Sequence, residues 1–257
     1  MPIALPRILA ASVVAALVVL MAPAARASVV PVDPGPVAKG RPIWGTTQNL
    51  PSMGSTATYT AGPQNAATII DYYDSGQALR DQKAVAKAAK EWIYEWVDDR
   101  CGGRPESCKA TVVFDVDETL LSNYGYYKTT DFVFNQDGWI AFNEACDNAA
   151  IGPSRDLYRK LKRDGFTLIV MTGRDEADRS WTAACLREKG ITDWDKLILR
   201  SDAQADLSAD VYKSQERAKL QRSGHRIVAS IGDQVSDMSL GHLKAGFLLP
   251  NVMYFIP

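Results

Sequence analysis

Histidine is scarce, basic charge is not in excess, and no long apolar run lies beyond the first residues; each absence removes a class of function. The 257 residues contain two histidines, His225 and His242. Both stand apart from the residue groups described below, so a phosphohistidine mechanism has no support. The formal net charge is -1 and the basic residues are scattered. Nothing would drive the counterion release that binds nucleic-acid polymers, although a nucleotide as substrate stays open. Cys101, Cys108, Cys146 and Cys185 include no Cys-x-x-Cys pair and no adjacent histidine, which leaves structural zinc without its ligand spacing. The apolar run Ile8 to Ala22 is 15 residues, short of the roughly 20 that span a bilayer, which argues against a stable membrane anchor.

What is present is the make-up of a soluble domain. Hydrophobic residues are 46% and charged residues 23%, ordinary values for a chain with a real core. Arg7, the apolar run and the small residues of Ala25-Arg26-Ala27 predict a signal peptide over 1–27, cleaved after Ala27, and hence a secreted or periplasmic product. Outside the cytoplasm four cysteines suggest disulfides. Cys101 and Cys108 flank a turn-rich loop that could close on itself, which pairs Cys146 with Cys185; three connectivities are open. Residues 28–64 are rich in Pro, Gly, Ser and Thr and read as a flexible lead-in. The folded domain is expected over 65–257.

Ala78, Val85, Ala89, Trp92, Ile93 and Trp96 recur at spacings of three and four, a helical stripe suited to packing on a larger body. Beyond them short apolar runs alternate with helical stretches. Strands are expected at 110–114, 166–171, 197–199 and 226–231, with a helix over 154–163. Strands separated by helices predict an α/β fold, a parallel sheet with helices on both faces. Such sheets bind ligands beyond the carboxyl ends of their strands.

Polar residues cluster at those ends. Asp115 and Asp117 follow the first strand, Thr172, Gly173 and Arg174 the second, and Gly232, Asp233 and Asp237 the fourth; Lys213 precedes the fourth. Taken singly, the aspartates and Thr172 could be turn or cap residues, and Lys213 a solvated lysine. Together they supply a carboxylate nucleophile, a proton donor, oxygen ligands for a hard cation and positive charge for transferring oxygens, which phosphoryl transfer needs.

The stretches Phe114-Asp115-Val116-Asp117-Glu118-Thr119-Leu120-Leu121-Ser122-Asn123, Met171-Thr172-Gly173-Arg174, Tyr212-Lys213-Ser214 with Arg217, and Ile231-Gly232-Asp233-Gln234-Val235-Ser236-Asp237 resemble the four motifs of the haloacid dehalogenase-like (HAD) phosphatases. The likeness is to the subfamily IIIB group of plant vegetative storage proteins and acid phosphatases, and Leu249 to Ile256 also fits it. The resemblance implies a Rossmann-like core with a small cap insertion at about 124–152, and a secreted, Mg²⁺-dependent acid phosphatase acting on small phosphomonoesters. It implies that Asp115 is the nucleophile and Asp117 the acid/base. Thr172, Gly173 and Lys213 would bind phosphate. Asp115, Asp233 and the Asp117 carbonyl would bind Mg²⁺, with Asp237 in support. Within the cap, Tyr126 and Tyr127 are the best candidates for gripping a leaving group. A non-catalytic storage protein, a phosphotransferase and a phosphorylatable receiver domain are the competing readings; the intact nucleophile opposes the first, and the export signal and Asp117 oppose the last.

Overall fold

Ala110–Phe114 is apolar apart from Thr111 and buried at every position, as a strand covered on both faces must be. Around it the computed structural model describes residues 28–32, 42–49 and 58–257; the expected signal peptide lies outside the described residues. In chain order come strands β1 (Val30–Pro31), β2 (Ile43–Gly45) and β3 (Tyr59–Thr60), then helices α1 (Ala66–Asp74) and α2 (Gln77–Cys101) and strand β4 (Ala110–Phe114). An insertion carries β5 (Leu121–Ser122), α3 (Tyr124–Thr129), α4 (Gln136–Glu144) and β6 (Ala149–Ala150). Strict alternation follows, with α5 (Gly152–Arg163), β7 (Thr167–Asp175), α6 (Arg179–Glu188), β8 (Lys196–Arg200), α7 (Ala209–Arg222) and β9 (Arg226–Gly232). Strands β10 (Ala245–Leu248) and β11 (Tyr254–Phe255) close the chain.

The main sheet has the order β1-β2-β10-β9-β4-β7-β8. Neighbours are parallel except β1, which runs antiparallel on β2. Alternating side chains divide between two cores. Val112, Phe114, Leu168 and Val170 pack with residues of α2, α5 and α6 on one face; Val113, Ile169 and Met171 pack with Leu220 of α7 on the other. The fold is therefore α/β with helices on both faces, as the strand–helix alternation predicts. The helical stripe is seated as expected: α2 buries Ala78, Val85, Ala89, Ile93 and Val97, while Trp92 and Trp96 pack half-buried against the same core. Gly102, at φ 60, ends α2 in the left-handed conformation, the usual glycine stop, and the chain turns so that Cys101 pairs with Cys108. Cys146 pairs with Cys185.

The lead-in is corrected in part. Ile43–Gly45 lies in the main sheet, parallel to β10, and Tyr59–Thr60 pairs antiparallel with Tyr254–Phe255. Asn49 Nδ2 donates to the Asp233 and Leu249 carbonyls at 3.1 and 2.9 Å. Strands of two or three residues show no periodicity, and their partners lie about 200 positions away, so the flexible reading of 43–49 and 59–64 does not hold.

Tyr126 and Tyr127 are also corrected. Both are 4% exposed; the Tyr126 hydroxyl donates to the Asn135 carbonyl at 2.8 Å, and the Tyr127 ring packs 5.3 Å from Tyr254. A six-residue helix with two adjacent large rings covers them by folding onto α1 and the C-terminal segment. The large apolar side chains that the insertion does expose are Val133 and Phe134.

Candidate active site

Because β9, β4 and β7 are adjacent in the sheet, the residues that follow them share one edge. Asp115 leaves β4 with its N–H donating to the Ile231 carbonyl at 2.9 Å. The chain then folds back: Leu120 and Leu121 both donate to the Val116 carbonyl at 2.9 Å, and Glu118 donates to that of Leu121 at 2.7 Å, with Glu118 left-handed at φ 52. On the neighbouring strand, the β7–β8 register is regular to Met171 and then shifts before Asp175, so Thr172, Gly173 and Arg174 occupy an irregular strand end. Thr172 is fully buried; its hydroxyl accepts from the Arg174 N–H at 3.2 Å. Gly173 is exposed, with open space where a Cβ would stand.

Asp115, Asp233 and Asp237 each place a carboxylate oxygen within 4.8 Å of the others, and all three are buried. Lys213 of α7 lies among them: Nζ donates to Asp115 Oδ1 at 2.7 Å and also to Asp237 Oδ1. Asp237 Oδ2 accepts from the Gln234 N–H at 2.9 Å, so this carboxylate is fixed at both oxygens. A Cβ on Gly232 would stand 2.1 Å from Asp237 Oδ2, so only glycine lets that side chain lie across the strand end. Asp233 Oδ2 accepts from the side-chain amides of Gln234 and Asn251, both at 2.6 Å. Arg217 underpins the same loop, donating to the carbonyls of Gly241 (3.0 Å), Asp237 (2.7 Å) and Ser239.

Three buried carboxylates thus stand together with one ammonium, which bonds to two of them. Burial pushes the Asp115 carboxyl up to about 8, with Lys213 pulling against it and Asp237 and Asp117 adding to it. Burial and the charges of Asp237, Asp115 and Glu118 push Asp233 well above the carboxylate range. Burial alone would discharge Lys213, but Asp115 and Asp237 outweigh it and hold the ammonium above its ordinary range. The cluster is short of positive charge, and its donors are all oxygen.

Asp117 is turned differently. Its side chain lies outside the three-carboxylate cluster; Oδ1 accepts from Arg174 Nη2 at 2.7 Å and Asn123 Nδ2 at 2.9 Å, and Oδ2 from Arg174 Nε at 3.0 Å. Burial works to raise its pKa, but the Arg174 and Asn123 contacts prevail and hold it below the usual range. The sequence reading assigned no role to Arg174, Asn123, Asn251 or Gln234. All four lie inside the quoted motif or closing segments, and their polar side chains beside apolar runs were the available signal.

A family model described as HAD superfamily, subfamily IIIB (Acid phosphatase), matches residues 46–257. The chain is similar to Acid phosphatase 1 of Solanum lycopersicum, 40% identical over 149 residues that cover 56% of this chain and 58% of that protein. It is similar to a Stem 31 kDa glycoprotein of Glycine max, 32% identical over 194 residues and 72% of each chain, and to vegetative storage protein 2 of Arabidopsis thaliana, 30% identical over 56% of each. The chain spans less than two thirds of the Solanum relative's length. Among solved structures, the Class C acid phosphatase of Bacillus anthracis has the same fold, with a TM-score of 0.57 at 19% identity over 75% of this chain and 86% of that one.

Proposed function

The chain belongs to subfamily IIIB of the HAD superfamily, the acid phosphatases, and from that premise we propose that it hydrolyses phosphomonoesters through an aspartyl-phosphate on Asp115. The observation that carries the reading is the Lys213 ammonium bonded to Asp115 inside a buried three-carboxylate cluster.

The cluster fits a divalent cation such as Mg²⁺: its donors are hard oxygens, and its one ammonium leaves a deficit of positive charge. Asp115 and Asp233 would hold the ion, with the Asp117 carbonyl, and Asp237 would act from behind by fixing Lys213. When bound, the cation supplies positive charge to phosphoryl oxygens as a dianionic ester nears the carboxylates.

Asp115 attacks phosphorus while the bond to the leaving oxygen breaks. Asp117, when acid pH has protonated it against the pull of Arg174, delivers that proton to the leaving oxygen, then takes one from the water that attacks phosphorus and releases phosphate from Asp115. Thr172 and the Gly173 amide hold the non-bridging oxygens of the transferring phosphoryl group, and Lys213 offsets their charge; a donor aimed at developing charge is worth roughly 10²–10³ in rate.

Export is part of the proposal, with cleavage near Ala27. Two disulfides belong to oxidising compartments, and no helix among the described residues is long and apolar enough to cross a membrane. The test is release of p-nitrophenol from p-nitrophenyl phosphate with Mg²⁺ and with chelator. Turnover that chelation abolishes supports the reading; no turnover in either condition supports a storage role on this scaffold.

A further inference from the structure

Asp117 and three other polar side chains, Asn123, Asn143 and Arg174, close a ring of hydrogen bonds. Asn123 Nδ2 donates to Asp117 Oδ1 at 2.9 Å, Asn143 Nδ2 to Asn123 Oδ1 at 3.1 Å, Arg174 Nη2 to Asn143 Oδ1 at 2.5 Å, and Arg174 Nη2 back to Asp117 Oδ1 at 2.7 Å. Asn123 and Asn143 are fully buried and Arg174 is 4% exposed. Asn143 comes from α4, in the insertion, so the insertion reaches the group that lies beside the nucleophile.

Four of the five guanidinium N–H donors are committed to side chains. Nε and Nη2 grip both oxygens of Asp117, and Nη1 donates to Thr182 Oγ1 at 3.2 Å. Trp139 of α4 and Trp181 of α6 stand edge to face with centroids 6.3 Å apart, and the guanidinium lies in the corner between them, with ring centroids 5.2 and 4.9 Å from Cζ. Cation–π contact of this kind holds a guanidinium in place. The helices that supply the two rings are themselves joined, because Cys146 lies just beyond α4 and bonds to Cys185 within α6. An arginine whose Nε and Nη2 edge is closed by Asp117 and Asn143 does not present that edge to a phosphate.

We propose that Arg174 is a positioning residue that acts through Asp117, and that the insertion, by way of Trp139 and Asn143, builds half of the cage that holds it. The proposal rests on the reading of Asp117 as the acid/base. Proton delivery depends on where the carboxyl points, and a displacement of about 1 Å can lower a rate by roughly 100-fold. The effect falls on substrates whose leaving group needs a proton, and spares those that leave unaided.

The test compares an alkyl ester, glycerol 2-phosphate, with p-nitrophenyl phosphate. For Arg174→Lys, kcat on the alkyl ester should fall by about 30–100-fold, within the range that general acid catalysis supplies. On p-nitrophenyl phosphate the fall should be under about fivefold, with KM nearly unchanged on both. In an Asp117→Asn background the same change should remove less than about threefold further on the alkyl ester, because two residues acting as one unit do not add. Trp181→Leu, which leaves the Arg174–Asp117 pair intact, should show the same leaving-group bias at about 3–10-fold, and it serves if Arg174→Lys does not fold. Equal losses on both esters with a raised KM would make Arg174 a phosphate ligand and overturn the proposal, as would multiplicative losses in the double variant. A wild-type chain that hydrolyses neither ester overturns the reading of the site itself, and this proposal with it.

Discussion

Removing the divalent cation should make the protein progressively less stable as the pH rises from about 4 to about 8. The Asp115 carboxyl is moved from 3.8 to about 8 by burial and its neighbours, and Asp233 is moved in the same direction. A group whose pKa is raised on folding stabilises the folded state below its unfolded value, and that contribution is lost as the pH passes through the folded value. At roughly 1.4 kcal/mol per pH unit, Asp115 alone sets a ceiling of roughly 6 kcal/mol. An effective dielectric nearer 20 than 4 reduces this to a few kcal/mol. Asp117 is shifted downward, so its contribution changes only below about pH 4 and does not mask the window. Bound Mg²⁺ replaces the protons, so its stabilisation, RT ln(1 + [L]/Kd), should grow over the same range. The assay is thermal unfolding in chelator and in saturating Mg²⁺ at pH 5 and pH 8. At roughly 2–4 °C per kcal/mol for a chain of this size, a difference of about 3 kcal/mol moves the midpoint by about 6–12 °C. A Mg²⁺ effect equal at the two pH values, or a chelated protein more stable at pH 8, would refute the reasoning.

Three further outcomes are expected. Gly232→Ala sets a Cβ 2.1 Å from Asp237 Oδ2, so Asp237 must leave Lys213; kcat should fall at least about 100-fold, with the far-ultraviolet spectrum unchanged. Asn251→Ala removes one of two amides on Asp233; calorimetry should show Mg²⁺ binding about 10–100-fold weaker. Replacing Cys146 and Cys185 by serine opens a loop of sequence separation 39, against 7 for Cys101 and Cys108. Denaturant unfolding should register losses of about 4 and about 2 kcal/mol respectively on the chain-entropy account.

The three strands that carry the site, β4, β7 and β9, could be read because each contains an apolar run buried on both faces, and the residues at their ends stood out for the same reason. Strand β2 could not be read, since a three-residue strand has no period and is defined only by its neighbours β1 and β10. Tyr126 and Tyr127 show the limit of proximity in sequence: they follow the first motif closely, yet α3 turns both into the core. The part of the site built from Arg174, Asn143 and the two tryptophans depends on how α4 packs on α6, and no spacing within either helix encodes that. Asn251 reaches Asp233 because the C-terminal segment crosses back over the site, and its partner is 18 positions away in a different element.

The central claim is a covalent phosphoryl group on Asp115. It is tested most directly by quenching turnover with acid, reducing the acyl phosphate with borohydride and sequencing the peptides by mass spectrometry. The account predicts conversion of Asp115 to homoserine in the presence of substrate and Mg²⁺, and no conversion in chelator. Turnover with Asp115 unmodified, or conversion at Asp117, Asp233 or Asp237 instead, would contradict it.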